Sequence, residues 1–240
     1  MQFPEITNYY EVIQMIEIIA ATLEDVIRIE KFGGDRIELI SAFFEGGLTP
    51  SYALIEEAVK RVRIPVNVMI RPHSKSFVYS KDEIEIMKKD VLIAKSLNVN
   101  GVVFGILNEK SEINEEVLED MLQVCDGIDV TFHRAIDEVS DQTEAINILS
   151  KYPQITNVLT SGGKGNIIDN IDNLKVMIQN SKHINILVGG GLNFNNINEI
   201  KDKVKASHYH FGTAVRKDSS FSGEIEGDKL YRMVSTINIR

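Results

Sequence analysis

Residues 129–137 read DVTFHRAID, an alternating stretch that ends in a histidine beside an arginine. An imidazole can move a proton or ligate a metal, and a guanidinium offers a planar fork of donors to a carboxylate or phosphate. The segment PVNVMIR, 65–71, ends in the same manner at Arg71, and RIELI, 36–40, carries Glu38 in its interior. These three residues form a predicted catalytic set. His133 is the general acid or base, Glu38 its orienting partner or the complementary base, and Arg71 the holder of an anion. Isomerisation, aldol-type cleavage and lyase chemistry all fit this set. No interior lysine stands out for a Schiff base.

A second set of residues points to an anion as well. The chain reads LTSGGKGN at 159–166, LVGGGLN at 187–193 and HFGTAVR at 210–216. Glycine permits close backbone approach and leaves N–H groups free to face negative charge. Ser161, Gly162, Gly163, Gly189, Gly190, Gly191, Gly212 and Thr213 are therefore predicted to bind an anion, with Thr160 adding a hydroxyl and Lys164 and Arg216 adding positive charge. The long segment RPHSKSFVYS, 71–80, contributes His73, Lys75 and Tyr79 and has the length of a lid. EGGLTPS, 45–51, reads as a glycine turn followed by a helix start.

The elements that must position these residues alternate regularly. Strands are expected at 15–20, 36–40, 65–71, 101–106, 129–134, 156–160, 184–189 and 208–212. Helices are expected at about 22–33, 50–62, 81–97, 114–125, 140–151, 166–180 and 193–203, from spacings such as Ile55, Ala58, Val59 and Val62. Pro50, Ser80, Asn114 and Asn193 mark helix starts, and Ser80 with Glu83 forms a capping pattern. Eight such units without an insertion predict an α/β fold, a single (β/α)8 TIM-type barrel. Residues 1–13 form an extra N-terminal segment, 14–216 the barrel and 217–240 a C-terminal helical tail, all in one domain.

Strand periodicity sorts the side chains into two faces. Val66, Val68 and Ile70 oppose Asn67, Met69 and Arg71, and Val130 and Phe132 oppose Thr131 and His133. With the apolar face against the helices, Glu17, Glu38, Asn67, Arg71, Thr131, His133 and His210 converge on the barrel interior. Arg71 and His133 fall near strand C-terminal ends, where barrel enzymes place their chemistry. The competing reading is a polar core that fixes strand register and does no chemistry.

Bulk properties narrow the partners. With 26 basic and 35 acidic residues the net charge is −9, which disfavours nucleic acid or an anionic membrane surface. No apolar run approaches the ~20 residues of a membrane span. Cys125 is the single cysteine, so no intrachain disulfide forms and a reducing cytoplasm is the expected compartment.

The ordered segments DRIELISAFFEGGLTPS, VNVMIRP, FVYS, GVVFGIL, VTFHRAID, NVLTSGG, VGGGL and HFGTAVR resemble the successive motifs of the CutC copper-homeostasis family, over roughly residues 15 to 216. The resemblance implies a β/α barrel, a cytoplasmic homodimer and copper as cofactor or cargo. It also implies cysteines near the end of the first strand and in the second, where this chain has Ile19 and Ile40. Cu(I) prefers thiolate or thioether ligands. A harder divalent metal could use His133, His210, Glu38 and Glu17, against the charge of Arg71, so the metal is not assigned. The expected partner is a copper ion or a small anionic metabolite.

Overall fold

The computed structural model describes residues 14–238; the segment 1–13 lies outside the described residues. Eight parallel strands close into a barrel in sequence order. They are β1 (Met15–Ala20), β2 (Arg36–Leu39), β3 (Val66–Met69), β4 (Gly101–Phe104), β5 (Asp129–Phe132), β6 (Ile155–Thr160), β7 (Asn185–Val188) and β8 (His208–Phe211). The helices are α1 (Leu23–Lys31), α2 (Tyr52–Arg61), α3 (Lys81–Ser96), α4 (Glu115–Leu122), α5 (Gln142–Leu149), α6 (Ile171–Asn180), α7 (Ile197–Val204) and α8 (Gly227–Asn238). α8 is the helix expected in the tail. It packs against α1 and α7, so it fills the eighth position of the helical ring.

The strands carry bulky apolar residues on the face turned to the helices. Ile16, Ile18, Ile37, Leu39, Val68 and Phe104 are all buried there, and each stabilises the fold by about 1.5–3 kcal/mol through loss of apolar surface. Ser80 caps α3 through the reciprocal arrangement with Glu83 that its spacing predicts. Of the four marked starts, two differ from expectation, and α6 begins at Ile171, later than its expected start near 166. α2 is capped by Ser51, and α7 begins at Ile197 because Asn193 and Asn196 close a turn through their side chains first.

Several strands stop earlier than their expected runs, and the breaks in β3 and β5 serve the mouth of the barrel. β3 is expected to reach residue 71. Ile70 still bonds to Val103, but the Arg71 N–H turns to the Thr49 hydroxyl. β5 is expected to reach 134. The His133 N–H bonds to Phe104 O, and its Nδ1 then accepts from the Ala135 N–H, which starts the short 3-10 turn Arg134–Glu138. Gly105, just past the end of β4, makes room for that ring, since a Cβ there would lie 2.4 Å from His133 Nδ1.

Candidate functional site

Register builds the floor of the site. Glu17 on β1 stands opposite Arg36 on β2 and opposite His210 on β8, while Glu38 stands opposite Ile19 and Asn67. Glu17 accepts from Arg36 Nε at 2.5 Å and lies 2.8 Å from His210 Nδ1. His210 Nε2 and Glu38 Oε2 are 3.8 Å apart, beyond hydrogen-bond reach. All four side chains are buried, and Glu38 Oε1 has no hydrogen-bond partner among the described residues. Ligand atoms of Glu17, Glu38 and His210 lie within 4.8 Å of one another.

The charges of this floor are tuned by burial and by each other. Burial alone would raise Glu17, yet Arg36 and His210 hold its carboxyl at about 2. Burial pushes Glu38 up to about 7, with the nearby Glu17 charge adding to the rise. For His210 burial works downward and is outweighed by Glu38 and Glu17, which raise its pKa. The floor therefore holds one firm carboxylate and one carboxyl that exchanges its proton near neutrality.

Above the floor opens a cavity of about 410 Å³ at the C-terminal end of the strands. Glu38, Arg71 and His133, the predicted catalytic set, all line it. Their pairing differs from expectation. Glu38 has His210 as its neighbour, and His133 is oriented by the Ala135 N–H. The reason is register, which sets Glu38 beside β1 and β8 while His133 sits on β5. Burial and the Arg71 charge lower His133 to about 3, so its ring is neutral, and its Nε2 has no partner among the described residues. Arg71 is 7% exposed and donates to the carbonyls of Glu45, Gly47 and Ser74. Its guanidinium lies 4.9 Å from the Phe77 ring.

The predicted anion-binding residues divide into two groups. Gly190, Gly191, Gly212 and Thr213 line the cavity. Ser161, Gly162 and Gly163 do not, because this chain supplies the loop with an anion of its own. The Asp137 carboxylate accepts from the Thr160 hydroxyl, from Ser161 N and Oγ, and from Gly163 N. Gly189 faces the barrel wall, where a Cβ would meet Leu159 at 2.8 Å and His210 at 3.0 Å.

The expected auxiliary cations also have other employment. Arg216 is buried and pairs with Asp25 while donating to Ile19 O, so it seals the barrel seam. Lys164 points outward to Glu138. Of the long loop after β3, Phe77 lines the cavity, and His73 turns to Glu83. Arg134 lines the cavity with its charge neutralised by Asp137. Cys125 sits just past α4, buried, with its thiol pushed up to about 12 by burial.

Sequence reasoning missed Asp137 and the rim aromatics Phe43, Phe44 and Phe221. Asp137 had a signal, three residues after Arg134 in the motif itself. The aromatics had none, since they lie in loops without periodicity.

A family model described as the CutC family matches residues 14–214. The human protein named "Copper homeostasis protein cutC homolog" is 36% identical over 206 residues, covering 85% of this chain and 75% of that relative. A CutC crystal structure from Streptococcus agalactiae superposes with a TM-score of 0.78 at 35% identity, covering 83% of this chain and 98% of that one. Monomers of dimeric phosphoribosylanthranilate isomerase from Thermotoga maritima share the fold, with a TM-score of 0.61 at 14% identity over 93% of this chain and 98% of that one.

Proposed function

The chain belongs to the CutC family, and on that premise we propose that it serves copper homeostasis in the cytoplasm, with copper as its cargo at the barrel mouth. The relatives' names support the process, and the convergence of Glu17, Glu38 and His210 within 4.8 Å is the observation that carries the site. The donor types select the oxidation state. Residues 19 and 40 are isoleucines, Cys125 lies outside the cavity lining, and among the described residues Met69 is the single sulfur in that lining. Such a set does not fit a thiolate Cu(I) centre. Imidazole with carboxylates suits Cu(II).

In this reading His210 and Glu38 are the ligands that face the cavity. Glu17 orients the imidazole through Nδ1, as carboxylates behind metal-bound histidines do, and Arg36 balances the charge of Glu17. Equilibrium dialysis and electron paramagnetic resonance with one equivalent of Cu(II) test it. Binding is expected to be lost in His210→Ala and Glu38→Gln and kept in Cys125→Ala, with circular dichroism confirming folding. Cu(II) binding untouched by both cavity variants would overturn the reading. The homodimer belongs to the same proposal, and sedimentation velocity at micromolar concentration reads it directly.

A second reading rests on Arg71. A barrel enzyme of isomerase or lyase type acting on a small phosphorylated or carboxylated metabolite needs a fixed cation and a proton carrier near pH 7. Arg71 has no carboxylate within ion-pair distance among the described residues, and Glu38 titrates at about 7. Absence of any proton-exchange or turnover activity on such metabolites, or activity unchanged in Glu38→Gln, would remove it.

A further inference from the structure

The mouth cavity is divided by polarity. Ile40, Met69, Leu159 and Leu192 form an apolar wall, and the rim carries an aromatic lip. Phe221 stacks edge-on against Phe43 at 4.9 Å and tilted against Phe44 at 5.2 Å. Phe44 is 73% exposed and Phe221 46% exposed, although both line the cavity. Two phenylalanines from different loops, held together and left in water beside a concave site, are a surface that gains stability when a flat apolar body covers it.

The polar side of the cavity holds one uncompensated cation. Three arginines approach the barrel mouth. Arg134 is paired with Asp137 and Arg216 with Asp25, which leaves Arg71 as the one of the three without a carboxylate among the described residues. Its Nη1 serves two carbonyls and its Nη2 one, at 3.4 Å, while its Nε–H has no acceptor among the described residues. Nε and Nη2 share the edge of a guanidinium that receives a carboxylate with two parallel bonds. A buried donor without a partner is rare and calls for an acceptor. The amides after β6, which would favour a more highly charged group, are taken by Asp137.

We infer that the cavity takes an organic monoanion, a carboxylate on a flat, largely apolar body, with the carboxylate on Arg71 and the body against Phe44 and Phe221. One free cation matches one negative charge. A dicarboxylate would bury its second charge unpaired, and a sugar phosphate would leave its hydroxyls against isoleucine, leucine and methionine. A cavity of about 410 Å³ has the size of a ligand with one or two rings. The inference shares with the second functional reading only the premise that an anion binds. It requires neither turnover nor copper.

The experiment is calorimetric titration and thermal shift on the metal-free full chain with four probes: 2-naphthoate, 2-naphthamide, succinate and inorganic phosphate. Naphthoate is expected to raise the melting temperature and to bind at least tenfold tighter than each of the others. Arg71→Gln should abolish that preference over the amide. Arg71→Lys, which keeps the charge beside the same loop, should retain part of it, which separates anion binding from loop damage. Phe44→Ala with Phe221→Ala should weaken naphthoate at least fivefold and leave the weak phosphate response unchanged. Tighter binding of phosphate or succinate would overturn the apolar monoanion while sparing an anion site. No response to any probe, or a naphthoate response indifferent to Arg71→Gln, would overturn the inference outright.

Discussion

After β6 the chain turns through SGGKG, and after β7 through GGGLN, on adjacent strands of one barrel. The two loops have nearly the same composition, and residues in both have positive φ, yet they do different things. The first is closed upon Asp137, whose carboxylate collects two backbone N–H groups and two hydroxyls. The second stays open, with Gly190 and Gly191 on the cavity and Arg134 lying across Gly190. Nothing within either loop decides this. The deciding residue enters from the turn after β5, so a glycine-rich loop is an anion site only if no neighbouring carboxylate reaches it first.

Removing that carboxylate should erase the contrast. Asp137→Ala leaves Arg134, Thr160, Ser161 and Gly163 without their acceptor, and the expected cost is about 3–5 kcal/mol, read from urea denaturation. The variant should also gain affinity for inorganic phosphate at the vacated amides. Asp137→Asn, which keeps one oxygen, should cost less.

Acid separates the two loops next, through His133 on the open side. Its folded pKa of about 3 lies below the ordinary 6.5, so the unfolded chain binds the extra proton between those values. Stability is then full above about pH 6.5 and falls as pH drops toward 3. In denaturation at stepped pH, His133→Gln should flatten this slope by a few kcal/mol at most. A slope identical to wild type would mean that the ring is not buried as a neutral group.

Glycine substitutions sharpen the comparison further. Gly190→Ala combines a φ of +87° with a Cβ 2.7 Å from Arg134 Cζ, so about 1–3 kcal/mol of strain and a displaced arginine are expected. Gly191→Ala, at +106° and with open space around it, should show backbone strain of about 1 kcal/mol and leave Arg134 in place. Equal losses in thermal melts would show that the contact with Arg134 does not matter. The smallest effect belongs to Lys164→Ala. Its pair with Glu138 is exposed on both sides, and the change should stay under about 0.5 kcal/mol.

The barrel was legible in the sequence because its signal is repeated. Eight short apolar runs alternate with amphipathic stretches, and period-two sorting alone turns Glu17, Glu38, Asn67, Arg71, Thr131, His133 and His210 inward. Their partners were not legible. Glu38 meets His210 because β1 pairs with both β2 and β8, and register across a closed sheet is a property of the whole barrel. Arg216 illustrates the same limit. In sequence it is a cation beside a glycine, and in space Asp25, which is 191 residues away along the chain, claims it. The rim phenylalanines were invisible because loop side chains obey no period.

The seam that Arg216 closes has a consequence for how the chain reaches this state. β1 finds β8, Glu17 finds His210 and Asp25 finds Arg216 only after nearly the whole chain is available. During synthesis at about 5–20 residues per second, the first strand waits some tens of seconds for its last partner. Until then Glu17 has Arg36 but no His210, and one edge of the growing sheet stands open. Parallel pairing at such long range is slow and prone to aggregation. Ring closure therefore requires the last strand, and the floor of the cavity is complete only with it.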